Sequence, residues 1–266
     1  MERNFKCIYP RRVDADLVAQ LPIVKCPLPI ELVETPEQLE RALPEILAEK
    51  ILGFDTETRP SFSKSQHFEV GILQLGGERK VWVIRLNSLG DYVADIYKVL
   101  ERPDIIKAGL AVQGDIRSLS KRMQFRPAGF VDVSDTTYKM GVINTGMKNL
   151  AALFFGERVS KSAQMSNWDA EELTQKQVDY AATDAWISRR LYLEVKRVAD
   201  ENNFEFEPEP EPEPEPFSLA KYLKSICGGL KKNLNAMRRF IKKLFRKKRK
   251  GNNRSRRRRG GKRRRR

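Results

Sequence analysis

Ile51-Leu52-Gly53-Phe54-Asp55-Thr56-Glu57 is an apolar run that ends in acid. Its length and composition are those of a buried strand, and side chains along a strand alternate faces with period two. Asp55 and Glu57 therefore share a face, while Leu52, Phe54 and Thr56 point the other way. Gly53 lies on the acidic side, where the missing side chain leaves room for something to approach. Taken alone, the pair also reads as two solvated acids at a strand end.

Two further segments carry acids that bear on this pair. The stretch LTQKQVDYAATDAWISRRLYLEV has the apolar spacing of an amphipathic helix, and Tyr180 and Asp184, four residues apart, stack on one face of it. A local hydrogen-bonding or packing contact would explain that pair by itself. Between the two, IIKAGLAVQGDIRSLSKRM reads as a short strand, a turn containing Gly114 and a helix with Asp115 in its early turn. An acid there also complements the helix dipole, so a purely structural role stays open.

The chain has little else for polar chemistry. It has one histidine, His67, and its three cysteines, Cys7, Cys26 and Cys227, are too far apart for a local Cys/His metal motif. A metal site would have to use carboxylate oxygens, hard donors that suit Mg²⁺ or Mn²⁺ and select poorly for Zn²⁺ or copper.

FDTE, then GDIRSL about 60 residues on, then YAATD about 65 later, resembles the order of motifs in the DnaQ-like 3′-to-5′ exonucleases. The subgroup is the one with tyrosine before the last acid (DEDDy), since no histidine lies near Asp184. The stretch KSAQMSNWDAEELTQKQVDYAATDAW tightens the resemblance, which runs over roughly residues 30–200, to exonuclease domains of the Werner-syndrome helicase type and, more loosely, the ribonuclease D type.

The resemblance implies a metal-dependent exonuclease with Asp55, Glu57, Asp115, Tyr180 and Asp184 as its catalytic set. Two divalent cations, Mg²⁺ or Mn²⁺, would be held by the four acids: one by Asp55, Glu57 and Asp184, the second by Asp55, directly or with Asp115 through water. Tyr180 would orient the attacking water; a phenol with a pKa near 10 is a poor bulk base. Four acids in one cleft should repel one another and have raised pKa values, so ion binding and ionisation should be coupled. Lys148 and Lys161 are the candidates to meet phosphates, and Gln74 or Asn149 to touch a terminal nucleotide. Trp168 is a candidate for base stacking, with core packing as the alternative. His67, in the polar stretch RPSFSKSQHFEV, reads as a surface loop residue. Asp132 and Asp135, in VDVSDTTY, read as turn or N-cap acids ahead of a helix.

The surrounding sequence is α/β. Thr35-Pro36-Glu37-Gln38 predicts a capped helix over PEQLERALPEILAEK, perturbed at Pro44. EVGILQLGG and KVWVIRL predict two strands joined by a Gly-Gly-Glu-Arg hairpin turn. Three sequential antiparallel strands followed by helix-strand alternation suit a ribonuclease H-like fold, a mixed sheet flanked by helices whose strand order is taken from the resemblance.

Charge divides the chain. An N-terminal extension (1–29) and the exonuclease domain (30–204) together hold 28 Lys and Arg against 29 Asp and Glu. Residues 205–216, EFEPEPEPEPEP, add six glutamates in a linker that should favour extended polyproline II, about 37 Å long at 3.1 Å per residue. Residues 217–266 carry 23 Lys and Arg and no acid. Within them a basic amphipathic helix is expected over 217–250 and a disordered Arg-rich tail over 251–266. A nucleic-acid backbone is the simplest partner for that tail; an anionic membrane surface, a helix-binding protein and a nuclear import signal compete.

No stretch approaches eighteen apolar residues and no apolar signal region follows the N-terminus, so no membrane span is expected and the cytoplasm is the expected compartment, with the nucleus as the alternative in a eukaryotic host. Two rival functions remain: a non-catalytic nucleic-acid-binding or scaffolding protein on a nuclease fold, and a ribosome-associated factor that processes RNA 3′ ends.

Overall fold

The computed structural model describes residues 10, 12–63 and 66–202. The expected linker, basic helix and Arg-rich tail, together with Cys7 and Cys227, lie outside them.

Six strands form one sheet among the described residues: β1 (Ile30–Val33), β2 (Ile51–Thr58), β3 (Val70–Gly76), β4 (Val81–Arg85), β5 (Ile106–Gly109) and β6 (Phe130–Asp132), in the order β1-β4-β3-β2-β5-β6. The β2-β3-β4 meander is antiparallel; β1 runs parallel to β4, β5 to β2 and β6 to β5. This is the expected mixed sheet. The β3–β4 hairpin closes where expected, with the Gly77 N–H donating to Lys80 O at 2.9 Å.

Strand alternation sorts the two faces. Leu52 and Phe54 of β2, Leu73 and Leu75 of β3, and Trp82 and Ile84 of β4 pack with α2 (Pro36–Ala48), α3 (Val93–Leu100) and α4 (Gln113–Arg122). Ile72, Val81 and Val83 face the other way, against Val178, Ala181, Ala182 and Ala185 of a long helix, Gln175–Glu201. Among the described residues there are also three short α-helices, Ala15–Gln20, Val133–Lys139 and Met147–Phe155; in chain order these are α1, α5 and α6, and the long helix is α7.

Two helix starts follow the same local chemistry. Thr35 and Gln38 make the expected capping box on α2, and Thr174 and Gln177 make another on α7. Pro44 lies inside α2, which continues through it, so the expected perturbation is limited to a missing helical bond. Pro44 and Glu40, whose carbonyl loses its helical donor, are both exposed, so water can take the missing bond. Gly114 lies within the first turn of α4 rather than in the turn before it, which is Leu110–Val112.

The approach that Gly53 permits is that of α7 itself. Gly53 pairs with Gly76 across β2 and β3. A Cβ at Gly53 would lie 1.8 Å from Ala185 O and 2.7 Å from Arg189 N, the two ends of one helical turn, and a Cβ at Gly76 would lie 2.7 Å from the same oxygen. Two side-chain-free positions side by side thus let α7 settle onto the sheet, and the Arg189 guanidinium, donating to Ile51 O at 3.1 Å, fastens it there. The extension before residue 30 is tied to the same helix, Cys26 N–H donating to Thr183 Oγ1 at 3.0 Å, and to the connection after α6, Val24 N–H donating to Arg158 O at 2.9 Å.

Candidate active site

Seating α7 at Ala185 places Asp184 beside β2. One carboxylate oxygen from each of Asp55, Glu57 and Asp184 lies within 4.8 Å of the others. The cluster sits toward the carboxyl end of β2, where clefts form in open α/β sheets. Asp184 is only 6 % exposed; Asp55 and Glu57 are half-buried.

Asp115 arrives from the opposite layer, in the first turn of α4. Its Oδ1 accepts from the Thr56 hydroxyl at 2.5 Å, so Thr56, on the far face from Asp55 and Glu57, anchors the fourth acid at the strand end. The loop that delivers Asp115 is held by Asp132, at the end of β6. Asp132 is the expected N-cap, accepting from Ser134 N at 2.9 Å, and Asp135 falls in the first turn of α5. Asp132 also accepts from Ala111 N at 3.0 Å and Val112 N at 3.1 Å. Ala111 has φ of 54°, a conformation that disfavours a side chain, and these bonds offset it.

Tyr180 projects one turn before Asp184, and its hydroxyl lies close enough to that carboxylate to lower its pKa. The indole of Trp168 stands behind the tyrosine, ring centroids 6.0 Å apart and tilted by 42°. Trp168 is 1 % exposed, so it packs and buttresses Tyr180 rather than offering a face to a base. The segment that carries it is tied to the sheet by Arg85, which donates to the carbonyls of Ala170 and Glu171, and to α7 by Gln177, which donates to Asn167 O at 3.1 Å.

The electrostatics are those of crowded acids. Burial raises Asp55 well above the ordinary carboxylate range, and the charges of Asp184, Asp115 and Glu57 push it further. Burial, then Asp184 and Asp115, push Glu57 up to about 8. Asp184 is pushed up to about 7 by burial, against the Tyr180 hydroxyl and the Lys161 ammonium. Asp115 is also raised, chiefly by burial, with the Thr56 bond opposing. Tyr180 is raised by burial and by Asp184 and Glu57, so its phenol stays protonated. A buried all-oxygen set whose members repel one another fits a hard divalent cation, which would relieve the repulsion.

A cleft of about 290 Å³ opens on the site, lined by Asp55, Tyr180 and Asp184 and by Lys148, Asn149, Lys161 and Gln164. Lys148, Asn149 and Lys161, the expected substrate contacts, therefore line the same cleft as Asp55 and Asp184. Gln74 does not: it is 0 % exposed, so its side chain has no surface to offer a terminal nucleotide. His67 is exposed, in the connection between β2 and β3. Sequence reasoning missed Thr56 and the second role of Asp132; a threonine between two acids and an acid at a strand end carry no local signal of partners 59 and 20 or 21 residues away.

Residues 30–199 match the family model described as 3′-5′ exonuclease. The chain is 28 % identical over 199 residues to the bifunctional 3′-5′ exonuclease/ATP-dependent helicase WRN of Mus musculus, covering 73 % of this chain and 13 % of that protein. It is 31 % identical over 168 residues to a putative 3′-5′ exonuclease, R431, of Acanthamoeba polyphaga mimivirus, covering 56 % of this chain and 41 % of the other. Among solved structures, the Nibbler EXO domain of Aedes aegypti superposes with a TM-score of 0.62 at 21 % identity, covering 67 % of this chain and 93 % of that one. The matched region spans less than half the length of these and other curated relatives, from 13 % of one to 44 % of another. No described helix is long and apolar enough to cross a membrane.

Proposed function

The chain belongs to the 3′-5′ exonuclease family, and we propose that it hydrolyses phosphodiester bonds at nucleic-acid 3′ ends with the aid of two divalent cations, Mg²⁺ or Mn²⁺. The observation that carries this reading is the convergence of Asp55, Glu57 and Asp184, oxygens within 4.8 Å of one another, at a cleft that Asp55 and Asp184 line with Tyr180. Asp55, Glu57 and Asp184 are the residues to hold one cation, and Asp55, with Asp115 through water, the other. When bound, such cations neutralise charge developing on the phosphate and acidify water.

The protein's own groups supply position. Tyr180 keeps its proton and can offer it to the nearby Asp184 carboxylate; its oxygen lone pairs remain to accept from a water and aim that water at phosphorus. Tyr180 therefore orients the nucleophile without taking its proton. Lys161, whose charge reaches Asp184, and Lys148, at the start of α6, are placed to meet phosphate oxygens, and Asn149 beside them offers an amide to the terminal nucleotide.

A second part of the proposal concerns residues 217–266, whose 23 Lys and Arg stand against no acid. They tether the domain to a phosphate backbone by counterion release, which gives salt-sensitive, sequence-blind affinity. The residues before the linker, near electroneutrality, gain little long-range attraction from their own net charge.

The decisive assay uses purified protein with Mg²⁺ or Mn²⁺ on single-stranded and recessed DNA and RNA labelled at the 5′ end. A ladder that shortens from the 3′ end is expected, abolished by Asp55→Ala or Asp184→Ala and reduced about 10²-fold by Tyr180→Phe. Full activity of Asp55→Ala, or no shortening of any of the four substrates, would sink the proposal.

A further inference from the structure

Gln74 is a polar side chain in a place that ought to be apolar. It lies on β3 directly opposite Asp55 of β2, and residues directly opposite in an antiparallel pair point to the same face with Cβ atoms about 5 Å apart. That face is the one covered by α7: Ile72, two residues before Gln74, packs against Ala181, Ala182 and Ala185, and Asp184 belongs to the same turns of the helix. Gln74 is 0 % exposed, yet neither its Oε1 nor its Nε2 has a partner among the described residues. Leaving a buried amide unpaired forfeits about 1–3 kcal/mol, and an apolar side chain of similar shape would remove that penalty. Packing therefore gives no reason for a glutamine here.

We infer that Gln74 is a positioning residue for the cation site: its amide, directly or through one buried water, holds the Asp55 carboxylate in the orientation that a cation requires. One Asp55 oxygen already accepts from Thr56 N at 2.9 Å, which fixes one side of the carboxylate. Gln74, from the neighbouring strand, is the only side chain paired in register with Asp55 across β2 and β3 and it has both donors free. The inference rests on the reading of Asp55 as a cation ligand. It replaces the expected contact with a terminal nucleotide by a contact one layer deeper.

Gln74→Met, close in volume and without polar atoms, separates this role from simple packing. Ser188→Ala is the control: Ser188 is also fully buried and unpartnered, on the same helix, one turn beyond Asp184. Mn²⁺ binding is read by the loss of the free-ion electron paramagnetic signal, and stability by thermal unfolding in EDTA, neither of which needs turnover. A positioning role predicts that Gln74→Met weakens Mn²⁺ binding about 10-fold or more, with an EDTA melting temperature equal to or above wild type, and that Ser188→Ala leaves Mn²⁺ affinity unchanged. Equal Mn²⁺ affinity in Gln74→Met and wild type, or a loss of affinity matched by a lower EDTA melting temperature, overturns the inference. If wild type binds no Mn²⁺, or binds it no better than Asp55→Ala, the cation-site reading falls and takes the inference with it.

Discussion

Gly53→Ala tests whether the seating of α7 makes the active site. The added methyl would sit 1.8 Å from Ala185 O, where real contacts essentially never come closer than 3.0 Å, so helix and strand must separate by at least 1.2 Å. Both atoms it strikes, Ala185 O and Arg189 N, are backbone and partners in one helical turn, so no side-chain rotation relieves the clash. Overpacking of this kind destabilises by about 3 kcal/mol, or roughly 6–12 °C in melting temperature for a domain of this size. Asp184 precedes Ala185 and must move with it, and a misplacement of about 1 Å in a reacting geometry lowers turnover by about 10²-fold. Gly76→Ala meets the same oxygen at 2.7 Å, needs only 0.3 Å of retreat, and should stay within about 10-fold of wild-type turnover. The assay is turnover of a short 5′-labelled oligonucleotide below the melting range of all three proteins, alongside thermal unfolding. Wild-type turnover in Gly53→Ala, or greater damage from Gly76→Ala, would refute the reasoning.

Acidity offers a second test. Glu57 and Asp184 have folded pKa values raised to about 8 and about 7, so the stability that their protonated forms contribute is fully present below their unfolded values and is lost as pH rises through about 7–8. The melting temperature of cation-free protein should therefore fall between about pH 5 and 8, Mg²⁺ or Mn²⁺ should restore it most at the upper end, and calorimetry in buffers of different ionisation enthalpy should detect proton release on binding near pH 7. Asp132→Ala removes an N-cap and leaves Ala111 N and Val112 N without their acceptor; about 3 kcal/mol of stability should go, with a melting temperature lower by roughly 6–12 °C, and an unchanged melting curve would contradict the bonds described. Deleting residues 217–266 should preserve turnover of short oligonucleotides while weakening binding to long nucleic acid and flattening its dependence on salt; an unaltered salt slope removes the tether.

The parts of the site that were legible in sequence are those set by local periodicity. Asp55 and Glu57 share a face because strands alternate, and Tyr180 and Asp184 stack because helices repeat every 3.6 residues, so neither pair needed knowledge of the fold. The three-strand meander was readable for the same reason. What escaped depends on partners distant in the chain. β1 and β6 have four and three residues, too few to show a period, and exist because β4 and β5 offer them edges. Gln74 has the sequence signature of any polar residue in a strand; that α7 covers it is decided more than a hundred residues later. Trp168 could pack or stack until its burial behind Tyr180 chose between them. Lys107 gives no warning of its full burial on β5, where its ammonium donates to Arg102 O at 2.6 Å and Ile105 O at 2.8 Å and burial lowers its pKa to about 7.

Because α7 is one unbroken helix from Gln175 to Glu201, it is also a ruler. Asp184 and Glu201 are 17 residues apart on it, which at 1.5 Å per residue fixes roughly 25 Å between the acid cluster and the far end of the helix. Glu201 is exposed and its ion pair with Arg197 lies at the surface, so a cysteine there would carry a fluorescent donor at little structural expense once Cys7, Cys26 and Cys227 are replaced. An acceptor on the last base of an oligonucleotide would then report arrival of a 3′ end as a single transfer efficiency, and an acceptor placed successively further from that end would trace the path of the strand away from the cleft.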